Sequence, residues 1–126
     1  MNELSYFIAA NGVNDSGPVI IDQPLTCITL PSFPGLFSFF LAFGFCNWDS
    51  EKEHRLKIIG KDCTGGVFLD TGDLEIPQNI PNKSIDIKMN IQNLRLSIEG
   101  LYIFELYLND ECVNRINLYG CKELEA

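Results

Sequence analysis

Between Phe37 and Phe45 the chain reads FSFFLAFGF, with Phe37, Phe39, Leu41, Phe43 and Phe45 on one parity and Ser38, Ala42 and Gly44 sharing the other with Phe40. Successive residues of a strand point to opposite faces, so this stretch offers one face of large side chains and one that is mostly small. It reads as a central strand whose aromatic face fills a core. The segment SIDIKMNIQNLRLSI, residues 84 to 98, alternates in the same way: Ile85, Ile87, Met89 and Ile91 point one way and Asp86, Lys88, Asn90 and Gln92 the other. At Asn93 the parity changes, and Leu94, Leu96 and Ile98 become apolar at even positions. A slip of one residue would expose the whole apolar set, so a bulge or break is expected near Gln92–Asn93.

After Gly100, LYIFELYLNDECVNRINLYG predicts a hairpin turning at Asn109-Asp110-Glu111. Further strands are expected over Leu4 to Ala10, Val19 to Leu30, Glu53 to Lys61 and Gly66 to Leu74. They are separated by turn-forming segments at 14 to 18, 30 to 35, 63 to 66 and 76 to 82. No window of a dozen residues carries a helical period. About eight strands in 126 residues predict a single domain over 1–126. The expected fold is all-β, an antiparallel two-sheet β-sandwich.

Composition narrows the partners. A formal net charge of −8 and a pI near 4.4 repel a phosphate backbone, so no nucleic acid is expected. Gln23 to Trp48 contains no charged residue, but Pro24, Pro31 and Pro34 interrupt it and its richest part alternates, so no membrane span is expected. Five cysteines (Cys27, Cys46, Cys63, Cys112, Cys121) form no CxxC pair, which predicts reduced thiols, no structural metal and a cytoplasmic location. The N-terminus lacks the basic and apolar regions of a secretory signal.

Candidate chemistry is sparse. His54, the single histidine, shares parity with Leu56 and Ile58 in EHRLKII and so begins the core-facing side of a strand, at a sheet rim with one hydrogen bond. VFLDTGD, residues 67 to 73, matches the Asp-Thr-Gly signature of aspartic proteases, in which paired carboxylates share a proton. Asp70 would then need a second copy of the chain. The same residues are ordinary turn composition, and the turn is the reading adopted. Asp62, Asp70, Asp73 and Glu75 lack the fixed spacing of a calcium loop and read as a solvated acidic rim. Among Tyr6, Trp48, Tyr102, Tyr107 and Tyr119, for which burial of all five is the commoner outcome, Trp48 in the loop CNWDSEKE and Tyr107, alternating with Glu105, are the better surface candidates for binding. Exposed together, they would suit a carbohydrate-binding face.

Three stretches, LPSFPGLFSFFLAFGF, EKEHRLKIIGKDCTGG and LRLSIEGLYIFELYLNDECVNRINLYG, together resemble in order and spacing a family of short bacterial domains of unknown function. The resemblance covers most of residues 4 to 120. It implies that EHRL and GLYIFEL recur for sheet reasons, and it carries over no active-site residue. The expectation for function is a non-catalytic binding module without cofactor, meeting a protein partner or a second copy through a sheet face or edge. The alternatives are a homodimeric aspartic protease using Asp70 and the carbohydrate-binding face of Trp48 and Tyr107.

Overall fold

The computed structural model describes residues 2–13, 21–49, 51–76 and 83–123. Its strands are β1 (Glu3–Val13), β2 (Ile21–Pro24), β3 (Cys27–Leu30), β4 (Gly35–Cys46), β5 (Leu56–Lys61), β6 (Val67–Asp70), β7 (Ile85–Leu96), β8 (Gly100–Leu108) and β9 (Glu111–Lys122). They form a four-stranded sheet, ordered β2-β1-β4-β7, and a five-stranded sheet, ordered β3-β9-β8-β5-β6. No α-helix occurs among the described residues, and no helix there is long and apolar enough to cross a membrane.

The alternation that predicts β4 sets its burial. Phe39, Leu41, Phe43 and Phe45 are all 2% exposed or less, and they face a cluster that also takes Leu56 and Ile58 from β5 and Tyr102, Phe104 and Leu106 from β8. The two sheets meet directly where the Phe39 and Phe104 rings lie 5.5 Å apart at 64°, an edge contact worth about 0.5–1.5 kcal/mol beyond its buried area.

The parity change in β7 is a bulge. β7 pairs with β4 from Ile85↔Phe45 to Ile91↔Phe39 and resumes at Leu94↔Phe37, so Gln92 and Asn93 together oppose Ser38. Asn93 takes the left-handed backbone (φ 53°) that asparagine tolerates, and its N–H donates to Ser38 Oγ at 2.9 Å. The closing hairpin turns on two residues, Asn109 and Asp110, both at positive φ (52° and 69°), with Leu108 paired to Glu111. This is the primed geometry that matches strand twist.

Two expectations need correction. The strand expected over Val19 to Leu30 is two strands that join different sheets: β2 pairs with β1, and after Pro24, which has no N–H to donate, β3 pairs with β9. The chain therefore has nine described strands. β3 runs parallel to β9, from Cys27↔Tyr119 to Leu30↔Lys122, so the five-stranded sheet is mixed. β5 and β6 are shorter than expected at their outer ends. The expected turn at 14 to 18 and most of that at 76 to 82 lie outside the described residues.

Candidate functional site

Trp48 is not a surface residue. It is 2% exposed, with its ring 5.3 Å from Phe45 and 4.7 Å from His54, and its backbone N–H donates to Lys83 O at 2.9 Å. The polar loop composition that suggests exposure belongs to its neighbours, while the indole turns under them into the core. Trp48 and Tyr107 therefore do not form one exposed aromatic surface.

His54 covers that indole. It precedes β5 and is held on both nitrogens: Nε2 lies 2.8 Å from Asp49 O and Nδ1 lies 3.1 Å from the Asn109 side-chain amide. A ring nitrogen facing a carbonyl must donate and one facing an NH₂ must accept, which puts the proton on Nε2. The Asn2 NH₂ lies along the ring edge, 3.1 Å from Nε2 and 3.4 Å from Nδ1, so with the proton on Nε2 it can donate only to Nδ1, while its Oδ1 accepts the Asp49 N–H at 2.6 Å. The imidazole ties together the start of β1, the β4–β5 loop and the hairpin turn. It lines an open cleft of about 510 Å³ with Asn2, Asp49, Lys52, Asn109 and Glu111.

Asp70 ends β6 in a turn of its own making. Its Oδ1 accepts the Gly72 N–H at 2.9 Å, Gly72 sits at φ 64°, and Thr71 closes the turn onto β5, its Oγ1 accepting the Ile58 N–H at 2.9 Å. Asp62 likewise serves its own loop, its Oδ1 accepting the N–H groups of Thr64 at 2.9 Å and Gly66 at 3.1 Å. The Thr64 hydroxyl donates to the same oxygen and, as the largest cause, holds this carboxyl below its ordinary range. Among the described residues, no three His, Cys, Asp or Glu side chains converge as a metal site would require.

Glu105, which sequence reasoning passed over, organises the outer face of the five-stranded sheet. It shares parity with Leu101, Ile103 and Tyr107, opposite the core residues Tyr102, Phe104 and Leu106, yet it is only 7% exposed. Lys61 Nζ lies 2.9 Å from Oε1, an Arg115 Nη2 3.9 Å from Oε2, and the Tyr107 hydroxyl donates to Oε1 at 3.2 Å. The Lys61 hydrogen bond is the main cause that pulls the Glu105 carboxyl below its usual range, against a desolvation that raises it; the same bond raises Lys61. Tyr107 is half-buried, its ring under Lys57 Nζ at 5.4 Å, and its hydroxyl is pushed up by desolvation first and Glu105 second. A charge amid the apolar β8 sequence GLYIFELYL was the available signal.

One end of that face is apolar. Cys27, Tyr119 and Leu101 are successive cross-strand partners on β3, β9 and β8, with Tyr119 56% and Leu101 38% exposed. Tyr119 shares parity with Arg115 and Asn117 rather than with Ile116 and Leu118, so period two places it outward. All five cysteines are free thiols, and Cys27 and Cys63 are exposed.

A search of curated proteins finds no match. A protein-family model described as "Family of unknown function (DUF6941)" matches residues 5–119. Since the match takes in nearly all of both sheets, the chain belongs to this family of unknown function.

Proposed function

We propose that the protein is a non-catalytic interaction module, a single β-sandwich domain that recognises a protein partner through the outer face of its five-stranded sheet. The observation that carries this reading is the Cys27–Tyr119–Leu101 row, an exposed apolar row on the same sheet face as the Glu105–Lys61–Arg115 charge cluster. An aromatic with apolar neighbours and a polar surround is the usual anatomy of a binding anchor. The groups that would be asked to do chemistry support the same reading. The Asp70 carboxylate is used by its own turn, and both His54 nitrogens are used by loop contacts. The free thiols are consistent with a reducing compartment such as the cytoplasm.

The test is affinity capture of the tagged chain from its native cells, in parallel with the double variant Leu101→Ser and Tyr119→Ser. Both side chains are open to solvent, so the variant is expected to keep the wild-type circular dichroism. A protein captured by the wild type and lost from the folded variant supports the proposal. Capture that is indifferent to the variant, or no specific capture, overturns it.

A further inference from the structure

We propose that the edge strand β7 is a self-recognition surface that joins two copies of this chain, antiparallel and in one register, into a continuous eight-stranded sheet. This deepens the interaction reading above, on which it rests for its class of function, but it uses a different surface. The other three sheet edges, β2, β3 and β6, are each 4 residues long, whereas β7 has 12 residues and pairs only with β4 among the described strands. A long edge is a template for another strand unless it is blunted. Its core-facing row is also incompletely covered. Ile87, Met89, Ile91 and Leu94 are half-buried, while Phe39, Leu41 and Phe43 on the adjoining β4 are at most 1% exposed.

The pattern of side chains names the occupant. Gln92 and Asn93 count as one position, as they do against β4. A two-fold axis at Asn90 then sets Ile85 opposite Leu96, Ile87 opposite Leu94 and Met89 opposite Ile91 on the core side. On the outer side it sets Asp86 opposite Arg95 of the second copy, twice by symmetry. Apolar meets apolar and opposite charges meet, which is how cross-strand pairs stabilise a sheet. Neighbouring registers lose this. An axis at Ile91, Met89 or Lys88 sets Asp86 opposite Ser97, Gln92 or Asn90 respectively, so none of the three brings opposite charges together. Asp86 is already positioned on the outer face, where its Oδ1 accepts the Tyr6 hydroxyl at 2.7 Å. That bond crosses Gly44, where a Cβ would come within 2.5 Å of the Tyr6 ring.

The experiment is sedimentation velocity of the full chain over a dilution series, on wild type, R95D, D86R and an equal mixture of the two variants, with circular dichroism as the fold control. Wild type is expected to dimerise. Each single variant sets like charges opposite one another at both outer positions and is expected to weaken the dimer by at least about tenfold. The mixture restores opposite charges at both positions in the heterodimer and is expected to recover wild-type association, a gain that unfolding cannot produce. If D86R does not fold, D86N/R95D removes the repulsion and is expected to recover most of the R95D loss. A wild type that stays monomeric at its highest soluble concentration overturns the proposal and leaves capture through the Tyr119 face to be judged separately. A dimer unmoved by R95D overturns the register while sparing self-association.

Discussion

A carboxylate on the outer side of a sheet ordinarily keeps its water, and Glu105 has exchanged most of it for Lys61, Tyr107 and Arg115. Such an exchange makes stability depend on pH in a definable direction. The folded Glu105 carboxyl releases its proton more readily than the unfolded one, which titrates at about 4.3. The unfolded chain therefore binds more protons in acid. Stability from this group is fully present above about pH 4.3 and is lost as pH falls through the lower folded value. Lys61 runs the other way, with its contribution present below about pH 10.4 and lost as pH rises through its raised folded value. The urea midpoint of the wild type is expected to drop at both extremes. Glu105→Gln is expected to lower the midpoint at neutral pH and to flatten the acid limb. An acid limb as steep in Glu105→Gln as in wild type would assign the loss to other carboxylates. His54 makes a contrast at the same scale. Its position beside Leu56 is legible in EHRL, but its second hydrogen bond comes from Asn109, which lies 55 residues away in the chain.

At the scale of the strand, the bulge at Asn93 converts one run of alternating residues into two runs that bury the same face. Asn93→Val places a β-branched side chain at φ 53° and is expected to cost about 1–2 kcal/mol, while Asn93→Gly, which keeps the backbone free to turn left-handed, is expected to be near neutral. Denaturant unfolding of the two variants separates backbone strain from loss of the side chain, since equal costs would mean that the amide itself matters. β4, the β7 bulge and the β8–β9 hairpin were all legible because period-two alternation and turn residues are local signals. The split of the 19–30 segment was not read, although Pro24 sits beside it. The parallel pairing of β3 with β9 had no local signal at all, since the strands' residue numbers differ by about ninety and neither pattern names its partner. Trp48 was misplaced for the same reason. The charged loop around it is visible in sequence, but the cavity between Phe45 and His54 that receives the ring is made only when β4 and the segment before β5 come together.

Across the whole molecule, the side chains of two sheets enter one cluster, and the single tryptophan lies on the β4–β5 connection that passes from one sheet to the other. Trp48 follows β4 of the four-stranded sheet, while the His54 ring above it is held by Asn109 from the hairpin of the five-stranded sheet. The indole therefore reports on the joint between the sheets, whereas far-UV circular dichroism reports on the strands of both. If the shared core makes one cooperative unit, as is usual below about 150 residues, the two probes lose their native signals at the same denaturant concentration. Trp48 emission is expected to shift to the red on unfolding, because burial beside Phe45 and His54 is exchanged for water. His54→Ala removes the ring that covers the indole and its bonds to Asp49 and Asn109, and is expected to reduce stability by about 1–3 kcal/mol, lowering the common midpoint without separating the probes. A fluorescence transition that precedes the circular dichroism transition in the wild type would mean that the His54 corner opens while the sheets stand. The imidazole would then be a local latch on that end of the fold rather than part of what holds the two sheets together.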